Sequence, residues 1–287
     1  ITARKVQIRN GSLRIIENKP EGVSINDVIM PKLDTFGVSN LDVTELNLDL
    51  SGNYFPNRKD AMINNLSFKT NSDFNVDSLH LEAEINETDE IATIRNFELL
   101  TDRSDIAINF IRMTEFSLEK GIDYEEFDNN MTQIDLNFRK VNFEDLKFFL
   151  PDLSFLDSVV SLKLFAEGDY ADLNINSLEV KLPNSSLTFS GRIKNLDEPS
   201  KLYFDIAGKD LSIDPADTRR VIPGLDVPDY SHVGVVYVPY AKYKGEPSNF
   251  DAEIDFRSSV GNINGSGSLD ASGDVSIYKG DFEVSRV

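Results

Sequence analysis

Residues 79–85 read LHLEAEI, and this alternation of apolar and polar residues decides the fold class of the chain. Leucine, alanine and isoleucine occupy every second position, and histidine and glutamate fill the positions between them. Side chains of a β-strand point alternately to its two faces, so one face of this strand is apolar and the other is polar. The pattern therefore predicts an antiparallel sheet with one face shielded from water and one face exposed to it.

The same alternation recurs along most of the chain, from about residue 46 to residue 256. Breaks rich in Asn, Asp, Ser, Gly and Pro separate the runs, and these residues favour turns. Asn10-Gly11, for example, predicts a tight hairpin turn. We expect roughly 16–18 strands, which is more than one immunoglobulin-like sandwich holds. The predicted fold is all-β, an elongated, repeat-built antiparallel β-groove with a few short helices, and the alternative is a pair of β-sandwiches.

Two segments of the chain resemble each other. Val141–Leu153 reads VNFEDLKFFLPDL, and Ile213–Leu225, seventy-two residues later, reads IDPADTRRVIPGL. Each has a residue suited to capping a helix, Asn142 or Asp214, followed by a short helical run and a hydrophobic-Pro-x-Leu stop. The segments predict helices over 143–150 and 215–221. A chain built by duplication usually uses its length as a surface or conduit rather than as one active site.

The best candidate for a boundary between two parts of the chain is the acidic stretch 120–130, which precedes the first of the two similar segments. A third short helix is expected within it, near residues 124–127. We therefore divide the chain into an N-terminal β-rich segment of the groove, residues 1–139, and a part made of duplicated β repeats, residues 140–287.

The composition excludes several classes of function. The chain has 49 Asp and Glu against 29 Lys and Arg, a formal net charge of −20. Such a surface repels phosphate backbones, so we expect no nucleic-acid partner. The chain has no Cys, which excludes disulfides, thiolate metal sites and cysteine nucleophiles. No run of residues approaches the roughly 20 apolar positions needed to span a bilayer.

Candidate catalytic residues are few. His80 and His232 are the only histidines, and we expect both to be exposed on strands. No G-x-S-x-G segment offers a nucleophilic serine. Acidic clusters at 123–128 and 169–174 lack the spacing of a calcium-binding loop, and we interpret them as solvated loops. We expect no enzymatic activity, no cofactor and no metal ion.

Two longer stretches of the sequence resemble those of a known protein family. They are LTFSGRIKNLDEPSKLYFDIAGKDLSI at 187–213 and GSLDASGDVSIYKGDFEV at 267–284. Together with the helix and hydrophobic-Pro-x-Leu segments, they resemble the repeats of AsmA-like proteins, in particular the TamB translocation and assembly module family of bacterial envelopes. The resemblance is clearest over residues 140–287.

The resemblance implies a taco-shaped β-groove in the periplasm that carries phospholipid acyl chains between the inner and outer membranes. It also implies an inner-membrane anchor in the full-length parent protein and an outer-membrane barrel protein as a partner. The function expected is a non-enzymatic part of lipid transport or outer-membrane assembly.

The residues expected to line such a groove share the apolar phase of their strands. They are Ile134, Leu136, Phe138, Leu162, Leu164, Leu178, Val180, Leu187, Phe189, Leu202, Phe204, Ile206, Phe250, Ile254 and Phe256.

A second reading keeps the β architecture but changes the function to a secreted or surface β-sandwich for adhesion or glycan binding. Tyr237, Tyr240 and Tyr243, in VVYVPYAKYKG, would then be the exposed aromatic residues. A hydrolase on a β scaffold is a third reading, with little in the sequence to support it.

Overall fold

The structure is a computed structural model that describes residues 5–15, 41–71, 74–116, 132–145, 157–169, 171–196, 198–221, 233–273 and 275–286. These residues form an all-β fold with very little helix. The strands are β1 (Val6–Ile15), β2 (Leu41–Tyr54), β3 (Arg58–Thr70), β4 (Val76–Asn86), β5 (Ile91–Thr101), β6 (Asp105–Thr114), β7 (Thr132–Asn142), β8 (Val159–Gly168), β9 (Asp172–Lys181), β10 (Ser186–Lys194), β11 (Tyr203–Ile213), β12 (Val236–Glu246), β13 (Asn249–Ser258), β14 (Gly261–Asp270) and β15 (Ile277–Ser285).

All fifteen strands belong to one antiparallel sheet, in which the spatial order of the strands is their order along the chain. Each strand pairs with the strand before it and the strand after it, and β1 and β15 form the two ends of the sheet. With a spacing of about 4.8 Å between strands, the sheet runs for about 65–70 Å from end to end. The predicted elongated β-groove is confirmed. The β-sandwich alternative is wrong, because the described strands form a single sheet.

Most strands carry a β-bulge near their middle. At Asn10, Glu45, Asn96 and Asp210 the backbone has a positive φ of about 50°, and the pairing register shifts at or beside the first three of these sites. A bulge bends a strand and increases its twist, and it moves the next side chain to the opposite face. The hairpin turn predicted at Asn10-Gly11 is therefore wrong. β1 passes straight through these residues, and Asn10 supplies the left-handed backbone of a bulge.

The ends of the strands lie along two long sides of the sheet. We call these sides edges, and they differ in how the strands are connected. We call one the hairpin edge, where short turns join β2 to β3, β4 to β5 and β12 to β13. We call the other the helix edge, where the links β7–β8 and β11–β12 begin with helical residues. The predicted helix over 215–221 is confirmed as α1 (Pro215–Val221). Residues 143–145 are helical, whereas 146–150 and the helix expected near 124–127 lie outside the described residues.

The expected boundary between residues 139 and 140 falls inside β7, which pairs with β6 and β8 on its two sides. The division into 1–139 and 140–287 stays a prediction. None of the helices in the described ranges is long and apolar enough to cross a membrane.

Candidate functional site: the inner face of the sheet

One face of the sheet is apolar along its whole length, and we call it the inner face. Residues directly opposite each other in an antiparallel pair point to the same side, so the pairing register shows which side chains line up. A first row crosses ten strands through Ile8, Leu48, Leu66, Leu79, Leu99, Ile106, Phe138, Leu162, Val180 and Leu187. Every member of this row is aliphatic or aromatic.

A second row, along the middle of the face, continues to the far end of the sheet. It crosses eleven strands through Phe97, Ile108, Leu136, Leu164, Leu178, Phe189, Gly208, Ala241, Ile254, Gly265 and Phe282. Its two glycines, Gly208 and Gly265, lie in its later part, and Phe282 packs against Gly265. A Cβ on Gly265 would stand 2.7 Å from the Phe282 ring.

A third row follows the hairpin edge across fourteen strands. It runs through Tyr54, Lys59, Ile85, Ala92, Met113, Thr132, Gly168, Leu173, Ile193, Phe204, Gly245, Phe250, Leu269 and Tyr278. Lys59 is its only charged member, and the other two rows have none.

The structure places fourteen of the fifteen predicted lining residues on this one face. Of the fifteen, eleven are members of the three rows, and Ile134, Ile206 and Phe256 occupy the same face through their partners Ala166, Tyr243 and Ile263. Leu202 precedes β11, at the end of the 3-10 helix Pro199–Lys201. All fifteen side chains are half-buried, which is an intermediate state between a closed core and a free surface.

The inner face forms a closely packed cluster where β10–β13 approach the helix edge. Leu211, Val236 and Val238 are fully buried there. Four of the predicted lining residues pack around this cluster, namely Leu187, Phe189, Ile254 and Phe256. This part of the face is a local hydrophobic core, and the half-buried rows continue away from it.

Two buried carboxylates hold the helical links to the helix edge. We call the first the Asp145 cluster. Asp145 Oδ2 accepts hydrogen bonds from the hydroxyls of Thr101 and Ser104, both at 2.6 Å. The Ser104 hydroxyl oxygen in turn accepts the backbone N–H of Asn142 at 3.0 Å. The link after β7 is thereby tied to the turn between β5 and β6.

The second, the Asp217 cluster, repeats this arrangement four strands later. Asp217 Oδ2 accepts the Ser185 hydroxyl at 2.7 Å and the Asn184 backbone N–H at 2.9 Å. The Ser185 hydroxyl oxygen accepts the Asp214 backbone N–H at 2.9 Å. Asp217 is only 1% exposed, and a buried carboxylate needs partners for its charge. These donors and the Arg220 guanidinium, whose Nη1 lies 3.2 Å from Asp217 Oδ1, supply them.

Sequence reasoning missed both clusters, although a signal for them was present. In the two similar segments an aspartate follows the capping residue by three positions, in NFED and in DPAD. That position is the first turn of a short helix, where acids are favoured, and the structure turns this aspartate inward to a serine of an earlier hairpin.

The three tyrosines of β12 do not form one surface. Tyr237 is 41% exposed and donates to Asp210 Oδ1 at 2.6 Å, a hydrogen bond that raises the pKa of the Tyr237 phenol. Tyr243 belongs to the inner face, where it stacks on Phe250 with ring centroids 4.6 Å apart, and burial raises its pKa. Tyr240 pairs with Lys209 and Asp255 on the polar face.

Lys59 lies at the hairpin edge of the inner face, and sequence reasoning missed it as well. Its ammonium forms an ion pair with Glu87, from the turn between β4 and β5, and both side chains are only 13% exposed. The Lys59 Nζ atom also stands 5.0 Å from the centre of the Tyr54 ring. A concavity of about 550 Å³ opens beside these residues, lined mainly by apolar groups that include Val6, Leu50 and Ile85.

The remaining candidate groups do not converge on a site. His80 faces the polar side of β4, half-buried, with Nε2 3.5 Å from Glu82 Oε1. His232 and the acidic stretch 123–128 lie outside the described residues. Asp169 accepts the backbone N–H of Asp172 at 2.6 Å within a turn. In the part of the chain that the structure covers, no three metal-ligating side chains come together.

Comparisons of the chain with known protein families, with curated proteins and with solved structures gave no match.

Proposed function

We propose that the chain is a non-enzymatic component of lipid transport or outer-membrane assembly in the bacterial cell envelope. In this proposal the inner face shields acyl chains as they pass through the periplasm between the inner and outer membranes. The resemblance to AsmA-like and TamB proteins suggested this role, and the inner face supports it with an independent observation.

That observation is the predominantly apolar inner face. Its rows cross ten to fourteen strands with Lys59 as their one charged member, and the predicted lining residues remain half-buried. The described strands form a single sheet, and extensive contacts between elements are those of neighbouring strands. A soluble protein rarely leaves so large an apolar surface open unless that surface binds something.

Acyl chains fit such a surface for a simple energetic reason. Each CH₂ group moved from water to an apolar surface gains roughly 0.8 kcal/mol. A row of similar side chains offers this gain at every position along the sheet, so a bound chain has no single deep site from which it must escape. The polar face, which carries ion pairs such as Lys5–Asp49 and Arg257–Asp255, keeps the sheet soluble.

The test is to purify the protein from bacterial cells and measure bound lipid by native mass spectrometry and solvent extraction. We expect phospholipid at more than one molecule per chain, and we expect Leu164→Glu to lose most of it because a carboxylate interrupts the middle row. The matched control is Ser161→Glu on the same strand. Ser161 faces the polar side opposite Lys181, so this variant should keep its lipid.

Circular dichroism on each variant separates loss of lipid from loss of fold. A wild-type protein that is free of lipid, and stays free when mixed with phospholipid vesicles, would overturn the proposal. Equal lipid loss in the two folded glutamate variants would contradict the assignment of the inner face as the binding surface.

A further inference from the structure

Lys59 is a charge in an apolar row. β3 alternates Lys59, Ala61 and Ile63 on the inner face, and a bulge at Asn64–Asn65 keeps Leu66 on that face too. In the three rows traced through the described strands, Lys59 is the only charged side chain. A lysine 13% exposed among apolar neighbours carries a desolvation cost, which calls for a physical explanation.

Glu87 and Tyr54 are the partners that the described residues give to the Lys59 ammonium. The Lys59 ammonium has three N–H donors, and Glu87 accepts one of them. The Tyr54 ring, 5.0 Å away, adds a cation–π contact. Glu87 comes from the turn after β4, so the two charges stand side by side at the rim where the inner face meets water. The apolar concavity of about 550 Å³ begins at the same place.

We infer that Lys59 and Glu87 form a subsite for the head group of a zwitterionic phospholipid, with the acyl chains in the adjoining concavity. The phosphodiester would accept hydrogen bonds from the Lys59 ammonium, and the head-group ammonium would pair with the Glu87 carboxylate. This inference rests on the proposed function and adds to it a lipid class and a position.

Charge complementarity favours a zwitterion over other head groups. The pair as a whole is neutral, and it presents one positive and one negative group close together at the rim. An anionic head group would gain from Lys59 but would be repelled by Glu87 and by the net charge of −20 of the chain. A lipid without a head group would fill the concavity and leave both charges without new partners.

The experiment loads the full chain with an equimolar mixture of phosphatidylethanolamine, phosphatidylglycerol and diacylglycerol that share the same acyl chains. Extraction and mass spectrometry then give the bound ratio. We expect phosphatidylethanolamine to be enriched about tenfold over diacylglycerol, the ratio that one charge-assisted hydrogen bond supports. The double variant Lys59→Met/Glu87→Gln should remove this enrichment while keeping the total lipid per chain.

The matched control is Lys69→Met on the same strand. Lys69 pairs with Glu45 on the polar face, so the enrichment should persist. Lipid binding without any head-group preference, or a preference that survives the double variant, would overturn the subsite and leave the proposed function standing. Preference for phosphatidylglycerol would also overturn it. Absence of all lipid from a folded wild type would instead remove the proposed function.

Discussion

The two long edges of the sheet are held by different means. At the helix edge, buried side chains hold the connections together. Asp145 and Asp217 each join a helical link to a hairpin turn through a serine hydroxyl. At the hairpin edge, tight backbone turns are prominent, beside the Lys59–Glu87 ion pair. Tight turns close there around glycines such as Gly168 and Gly245, whose φ angles are +135° and +137°.

The difference shows that the sheet is fixed along one side and less constrained along the other. The helix edge contains most of the fully buried residues, among them Leu211, Val236 and Val238. Large exposed apolar side chains occur at both edges, for example Tyr54 and Tyr278 at the hairpin edge and Val235 and Val260 at the helix edge. We therefore expect a ligand to enter the inner face from the hairpin edge, where less packing has to be displaced.

The largest effect is expected at the helix edge from Asp217→Ala. The change leaves the buried Ser185 hydroxyl and the Asn184 N–H without their acceptor, and we expect a loss of about 2–4 kcal/mol in the free energy of unfolding. Urea denaturation followed by circular dichroism measures it. The control is Asp89→Ala at the hairpin edge, where Asp89 accepts one exposed hydrogen bond from Asn86. Similar losses in the two variants would show that the edges do not differ.

The hairpin edge should instead be sensitive to its backbone. Gly245→Ala places a Cβ 2.3 Å from the Asn249 carbonyl oxygen at a φ that other residues rarely adopt. We expect a cost of about 1–3 kcal/mol. Gly273→Ala, with open space around its Cβ, should change the melting temperature very little. A neutral Gly245→Ala would mean that this edge tolerates rearrangement of its turns.

Ser185→Ala tests the hydroxyl that joins link and turn in the Asp217 cluster. It removes one donor to Asp217 and the acceptor of the Asp214 N–H, and we expect about 1–2 kcal/mol of destabilisation in thermal unfolding. At the hairpin edge, Ser272→Ala removes a solvent-exposed bond to Asp270 and should cost less than about 0.5 kcal/mol. If Ser272→Ala cost as much, burial would not be what distinguishes the two serines.

Exposed ion pairs should contribute little to stability, and their contribution should be equal at the two edges. Arg139–Asp105 lies toward the helix edge and Arg58–Glu84 toward the hairpin edge. Replacing either arginine by glutamine should change the free energy of unfolding by less than about 1 kcal/mol. A large effect at one edge alone would show that surface charge, rather than buried carboxylates, accounts for the contrast.

Much of the fold could be predicted from the sequence because a strand with one apolar face alternates apolar and polar residues. Leu162 and Leu164, or Phe204 and Ile206, fall on one face whatever their neighbours are, and the short turns at Asp102–Ser104 and Pro183-Asn184 carry their own chemistry. The helix over 215–221 was also readable, from its capping aspartate and its first-turn proline.

What could not be predicted depends on contacts between distant parts of the chain. A bulge and a tight turn use the same Asn-Gly chemistry, and only the partner strand decides between them at Asn10. Lys59 was missed because the bulge at Asn64–Asn65 breaks the period of β3, which hides the phase of its first residues. The roles of Asp145 and Asp217 depend on serines 41 and 32 residues earlier in the chain.

The chain order of the strands in the sheet affects how the protein folds and how it unfolds locally. Because each strand pairs only with its immediate neighbours, every added strand forms its ladder hydrogen bonds with the strand made just before it, and the Asp145 and Asp217 clusters reach back only to a nearby hairpin turn. Stability is then a sum of local terms, as in solenoids, and cooperativity fades with distance. Hydrogen exchange should proceed inward from β1 and β15, so either end can fray and re-form while the centre stays assembled.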